Sequence, residues 1–359
     1  MINPESSEIR YFPPRKLAKV LEFLPQTFRK EVLGKSVLNQ PIYGYFWGRG
    51  DSKVLMWSQM HGNESTSTRA LTKLMNGLDG GFGGEIFDKI SLLIIPQLNP
   101  DGAKAYTRFN ANEVDLNRDA ILLSQPESKL LKKVFEDFSP DFCFNLHDQR
   151  TIFSAGKQGL PATLSFLAPA GDPQKSITPQ RLIAMQLIAG IDARLQACIP
   201  GQIGRFDDTF NPNCVGDTFT ALGVPTLLFE AGHFSQDYHS DFSSEMMFKA
   251  YEVVLNSIAN KDYLDFTIEE YLQIPENEKD CVDLIIEGVK INAIEGILED
   301  QELAIQYQEV LRDERVFFEP TFYAYGSKLE VLAHRRISSE HQPFSKPVIF
   351  QAGAALKIT

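Results

Sequence analysis

The run Met60-His61-Gly62-Asn63-Glu64 offers an imidazole and a carboxylate three residues apart. It comes after the apolar segment Val54-Leu55-Met56-Trp57, and a strand that turns there brings both side chains to one cation. Zinc favours imidazole nitrogen and carboxylate oxygen, and a catalytic zinc keeps three protein ligands plus a position for water. His-x-x-Glu alone is common by chance. Its weight comes from the motifs downstream of it, in order: Asn99-Pro100-Asp101-Gly102, Arg108, Asp115-Leu116-Asn117-Arg118, Asn145-Leu146-His147 and Phe229-Glu230-Ala231-Gly232.

A metal hydrolase needs ligands that leave one position open, a carboxylate to take a proton from water, and donors where negative charge develops. His61, Glu64 and His147 make a His₂Glu ligand set suited to one zinc ion. Glu230 closes the apolar run Leu227-Leu228-Phe229, where a carboxylate can have a raised pKa and act as general base and then general acid. Arg108 and Arg118 carry forks that match carboxylates. One can hold a substrate carboxylate while the other steadies an oxyanion. Asp115 can accept from the outer ring nitrogen of a ligand histidine, and Asp148 is a candidate for supporting His147.

These residues need elements to bring them together. Residues 54–59, 90–97, 141–146 and 224–229 read as short strands, apolar almost without interruption, as expected for strands covered on both faces. Between them, Leu71, Leu74, Met75 and Leu78 follow helical spacing, as do Met247, Ala250, Tyr251 and Val254. Segments 127–138 and 180–197 also read as amphipathic helices. This alternation predicts an α/β layer fold with a mixed, largely parallel sheet. His61, Asn99, His147 and Glu230 all fall at or just past the C-terminal end of a predicted strand, where ligands bind in open α/β sheets. The cluster Gly80-Gly81-Phe82-Gly83-Gly84 precedes a strand and reads as a mobile turn, not a dinucleotide fingerprint.

The ordered set closely resembles the zinc carboxypeptidase family (carboxypeptidase A/B-like), over roughly residues 40–260. The resemblance implies a mixed eight-stranded sheet flanked by helices, with zinc held by His61, Glu64 and His147. It further implies Glu230 as general base and Arg108 as the group that polarises the scissile carbonyl. Asn117 and Arg118 would bind the terminal carboxylate of the substrate, and Asp115 would orient a ligand histidine. One departure is that digestive members carry a substrate-closing tyrosine some twenty residues before the catalytic Glu. Here that stretch is Phe206-Asp207-Asp208-Thr209-Phe210-Asn211, and Phe210 and Asn211 are weak substitutes. In Asn213-Cys214-Val215-Gly216-Asp217, Val215 hints at an apolar side-chain preference and Asp217 at a basic one.

Residues 1–262 thus read as the catalytic domain. The polar break Pro275–Asp280 comes next, and residues 263–359 read as a small β-rich domain with strand-like runs at 282–291, 303–310, 316–325, 328–334 and 348–358. The stripe Phe317-Phe318, Phe322-Tyr323 and Tyr325 reads as strand core or domain interface, and self-association is one role open to this region. His233 and His239 lie near Glu230, but three ligands already complete the set. His334 and His341 read as ordinary residues.

The 359 residues are 43% hydrophobic and 23% charged, ordinary for a globular protein, with a net charge of −12 that argues against nucleic acid or an anionic membrane surface. No apolar stretch approaches a membrane span and no leader pattern is visible, so a cytoplasmic protein is expected. Cys143, Cys198, Cys214 and Cys281 form no C-x-x-C pair and read as buried reduced thiols. The expected function is zinc-dependent removal of C-terminal residues from peptides. Two alternatives compete: a zinc amidohydrolase of N-acyl amino acids, resembling the aspartoacylase and succinylglutamate desuccinylase group, and a peptide-binding module without activity.

Overall fold

Alternation along β-strands explains why the apolar runs lack polar breaks. A computed structural model describes residues 4–293, 296–339 and 349–351. Its first strands are β1 (Arg29–Lys35), β2 (Pro41–Gly48), β3 (Ser52–Ser58), β4 (Ile90–Ile95) and β5 (Phe142–Asp148). They continue with β6 (Ser154–Ala155), β7 (Leu164–Leu167), β8 (Ile203–Arg205) and β9 (Thr226–Ala231). Val54 and Met56 of β3 enter one buried core, with Leu92, Ile94 and Phe144, while Leu55 and Trp57 enter the other, with Leu93, Ile95 and Cys143. Successive side chains point to opposite faces, and both faces are covered.

The sheet has eight strands in the order β1-β2-β4-β3-β5-β9-β7-β8. The pairs β3–β4, β3–β5, β5–β9 and β7–β8 are parallel; β1–β2, β2–β4 and β7–β9 are antiparallel. The expected mixed, largely parallel eight-stranded sheet is therefore present.

The helices are α1 (Pro14–Val20), α2 (Thr66–Gly77), α3 (Gly81–Ile86), α4 (Pro100–Ala105), α5 (Pro126–Phe138), α6 (Pro179–Leu195), α7 (Val215–Ala221), α8 (Asp241–Asn260) and α9 (Ile268–Gln273). Helices α2, α6 and α8 bury Leu71, Leu187 and Met247 against one face of the sheet. Helices α5 and α7 bury Leu131 and Phe219 against the other. Proline at the first helical position opens α4, α5 and α6, where its missing N–H leaves nothing unpaired.

The glycine cluster is not a turn: residues 81–86 form α3. A Cβ at Gly83 would lie 1.6 Å from the carbonyl oxygen of Leu78, so glycine there permits a close backbone approach.

Tyr271 and Ile274 pack into the larger core, and the two-residue strand β10 (Asn277–Glu278) pairs with β6. A second sheet then runs in the order β13-β12-β11-β14, with β11 Cys281–Ala293, β12 Gly296–Arg312, β13 Arg315–Gly326 and β14 Leu332–Ser338. Strand β15 (Ile349–Gln351) also pairs with β11. The rest of the run at 348–358, and His341, lie outside the described residues.

Leu284, Ile286, Leu303 and Ile305 form a core within the second sheet. A separate cluster joins it to the first unit: Val316 and Phe318 pack with Tyr11, Tyr106 and Tyr238. Phe318 thus lies at the expected interface, whereas Phe322 and Tyr323 are exposed. Among the described residues, no helix is long and apolar enough to cross a membrane.

Candidate metal centre

The chain leaves β3 at Ser58, crosses Met60 and turns tightly through His61 and Glu64, whose N–H donates to the His61 carbonyl at 3.1 Å. Gly62 makes that turn possible: a Cβ there would lie 1.9 Å from the Gly102 carbonyl carbon. Asn99 explains Gly102. Its Oδ1 accepts from the Gly102 N–H at 2.8 Å, capping α4, and its Nδ2 donates to the Met60 carbonyl at 3.1 Å. Asn99 is thus a buried scaffold for the turn and not one of the residues that line the cavity, as its position at a strand end had suggested.

His147 lies inside β5, and Glu230 is its register partner on the parallel strand β9. His61 Nδ1 is 2.9 Å from Glu64 Oε1, His147 Nδ1 is 2.8 Å from Glu64 Oε2, and the two Nδ1 atoms are 3.1 Å apart. Their candidate ligand atoms all fall within 4.8 Å of one another, and all three residues are buried.

Two facing ring nitrogens and a carboxylate fit a zinc ion. His61 Nε2 lies 2.9 Å from Asp115 Oδ1, which draws the ring proton to the outer nitrogen and leaves Nδ1 as a lone-pair donor. Asp115 also accepts from Arg108 Nε at 3.0 Å and from the Asn117 N–H at 2.9 Å. Burial pushes the Asp115 carboxyl up, but His61 and Arg108 outweigh it and hold the group well below the usual carboxylate range. Burial also pushes Glu64 up, and the two imidazoles outweigh it in the same way. Glu230 differs: burial, then Glu64 and Asp148, push its carboxyl well above the ordinary value.

His61, Glu64, Arg108, Asn117, Arg118, His147 and Glu230 line one cavity of about 490 Å³, and Asp115 stands behind His61 and Arg108. Arg108 Nη1 is also 3.3 Å from Glu64 Oε1. Arg118 spends Nη1 on the Asn117 carbonyl at 2.7 Å and on Cys214 Sγ at 3.1 Å. Asn117 Oδ1 accepts from the Val215 N–H at 3.0 Å, which directs its amide donors away from that contact.

Several other residues fall elsewhere than expected. The Asp148 carboxylate does not touch the His147 ring; it accepts from the N–H groups of Thr66 and Ser67, tying β5 to the start of α2. Helical geometry turns Val215 into the core with Met60, Leu116 and Phe219, so it does not line the cavity, whereas Asp217 does. Burial pushes the Asp217 carboxyl up to about 6. Phe206, Asp207, Thr209 and Asn211 line the cavity and Phe210 does not. His239 bonds Ser7, and His233 packs near His334. All four cysteines are free, but only Cys143 and Cys281 are buried. Arg150 is a cavity residue that the sequence does not reveal; it stands three positions after His147, with no spacing signal of its own.

A family model described as zinc carboxypeptidase matches residues 15–142, a segment holding His61, Glu64, Arg108, Asp115, Asn117 and Arg118 and ending before His147 and Glu230. A probable carboxypeptidase 2 of Trichophyton verrucosum is 30% identical over 109 residues, 29% of this chain. Carboxypeptidase SOL1 of Arabidopsis thaliana is 32% identical over 103 residues, 24% of this chain. These matches span only about a fifth of the curated relatives' own lengths, 20% and 21%. Among solved structures, a metallo-carboxypeptidase from Burkholderia cenocepacia superposes with a TM-score of 0.56 at 17% identity, covering 71% of this chain and 70% of that one. One from Pseudomonas aeruginosa, solved with (2-guanidinoethylmercapto)succinic acid, gives 0.56 at 19% identity and 71% of each chain. Residues 15–142 thus match the zinc carboxypeptidase family model, in a chain whose fold is similar to that of solved metallocarboxypeptidases.

Proposed function

We propose that this chain is a zinc-dependent carboxypeptidase that hydrolyses the C-terminal amide bond of peptides, with one zinc held by His61, Glu64 and His147. One observation carries this reading: a converging His₂Glu triad lines the same cavity as Glu230, Arg108, Asn117 and Arg118. When bound, zinc polarises a carbonyl and brings the pKa of a water near 7.

The chain's own residues do the rest. Glu230 takes the proton of the attacking water and returns it to the leaving amine nitrogen. Its raised pKa reflects burial first and then two nearby acidic groups, Glu64 and Asp148, and a divalent cation would offset the repulsion from those two. Arg108, held by Asp115, presents its guanidinium where the carbonyl oxygen gains charge. Arg118 keeps Nη2 and Nε, and Asn117 its amide donors, for a terminal carboxylate.

The test is a substrate panel with metal analysis. Purified protein should hold zinc and cleave peptides with a free C-terminus. Arg118→Ala should lose about 2–5 kcal/mol of transition-state binding on free-carboxylate peptides, and much less on C-terminally amidated ones. Equal losses on both sink the anchoring role. N-acyl amino acids hydrolysed far faster than any peptide would reverse the substrate assignment, and bound zinc without turnover would favour a binding module.

A further inference from the structure

Glu309 belongs to β12 of the second sheet, yet its carboxylate lies among residues of the first unit. Arg10 Nη2 is 2.6 Å from Oε1, Arg150 Nη2 donates to Oε2 at 2.8 Å, and the Tyr106 hydroxyl also donates to Oε2. The Glu309 side chain is only 10% exposed. A lone structural ion pair would stop there. Arg150 does not: its Nη1 donates to the Asn63 carbonyl at 3.0 Å, and Asn63 lies between His61 and Glu64. Arg150 also lines the cavity.

The loop carrying two candidate ligands is therefore held from two sides. Gly62 rests on Gly102, and the Asn63 carbonyl is held by a guanidinium that Glu309 fixes from the opposite end. A planar fork is rigid and bonds at two ends, so the placement of Oε2 carries through to Asn63. We propose that Glu309 is a positioning residue of the metal centre: through Arg150 and Asn63, the second sheet presets the His61–Glu64 loop for its cation. This role rests on zinc being held by His61, Glu64 and His147. Outer partners of metal ligands typically change affinity by about 10–100-fold when removed.

The test measures zinc affinity by chelator competition on the full chain, wild type and variants, together with kcat and KM on a free-carboxylate peptide at saturating zinc. Arg150→Gln is the decisive variant, because Arg10 and Tyr106 still hold Glu309 and the sheet stays docked. It should bind zinc about 10–100-fold more weakly, with a thermal midpoint close to wild type. Glu309→Gln should shift affinity in the same direction, and the double variant should be no weaker than the worse single one. Arg150→Lys should fail to rescue, since one ammonium cannot span both partners. Native zinc affinity in Arg150→Gln overturns the positioning role alone, as does a change confined to KM. A wild type that takes up no zinc overturns the proposed function, and the positioning role falls with it. Should Glu309→Gln not fold, Arg150→Gln still decides.

Discussion

Two buried carboxylates, Glu64 and Glu309, are satisfied in opposite ways. Glu309 lies between two permanently charged guanidiniums and a phenol. Burial pushes its carboxyl up, and Arg10 and Arg150 outweigh this and hold it at about 2. Glu64 lies between two imidazoles whose Nδ1 atoms face each other at 3.1 Å, a contact in which only one can donate. Around it, Asp148 and Glu230 add acidic groups, and His147 Nε2 is buried without a hydrogen-bond partner among the described residues. Arg108 is the cation in contact, at 3.3 Å. Both oxygens of Glu309 are thus matched by fixed cations, although Arg10 Nε is buried without a partner among the described residues, whereas Glu64 has one arginine beside it and acidic neighbours around it. A carboxylate matched by fixed cations of its own chain serves rigidity; one without them has room for a cation that arrives.

Disabling the cavity side should have the largest effect. Glu230→Gln should lower kcat by about 10²–10⁴-fold with zinc content unchanged, and near-native kcat would remove Glu230 from the chemistry. At the second sheet, Glu309→Ala strands Arg10 as a buried charge and takes the carboxylate from the half-buried Arg150. It should cost about 3–5 kcal/mol of stability, read from urea unfolding. A loss below about 1 kcal/mol, the scale of an exposed pair, would mean the network is more solvated than its burial indicates.

The His233–His334 pair, between the loop after β9 and β14, gives a smaller, pH-dependent effect. Burial lowers the pKa of His233 to about 3 and of His334 to about 4, so both are neutral in the folded protein. The unfolded chain takes up these protons near pH 6.5. Stability should therefore fall as pH drops from about 6.5 towards 4, by at most ~1.4 kcal/mol per unit for each residue. Metal-free wild type and a His233→Asn/His334→Asn variant, unfolded in urea at about pH 7 and pH 5, on either side of the unfolded-state value, isolate this contribution; parallel declines would rule it out. The smallest effect belongs to Asn99→Ala, which removes the cap of α4 and the hold on Met60. It should cost about 0.5–2 kcal/mol, and unchanged thermal stability would show that water replaces both bonds.

The same contrast explains what could be read from the chain before its fold. His61 and Glu64 are legible because three residues suffice to turn them to one point, and His147 and Glu230 because each ends an apolar run. The strands were legible because coverage on both faces erases polar alternation. Arg150 and Glu309 were not legible. They are 159 residues apart, and a glutamate before Val310 in a strand with Gln306 and Gln308 looks like a solvated position. Nothing local says that β12 meets the first unit there. Val215 and Asn99 misled for a related reason: both belong to the right motifs, but helix phase turned Val215 inward and capping engaged Asn99. The Gly80–Gly84 cluster misled because close backbone packing and chain reversal draw on the same residue.

The pairing of His147 with Glu230 across β5 and β9 has a consequence for how the chemistry can vary. Adjacent strands stand about 4.8 Å apart wherever backbone hydrogen bonds join them, so a ruler common to all sheets spaces the proposed ligand from the proposed proton acceptor. Loops around the rim can lengthen, shorten or exchange residues and alter what enters, while that separation stays constant. Reach and selectivity are free to drift, and the spacing of His147 from Glu230 is inherited from the ladder.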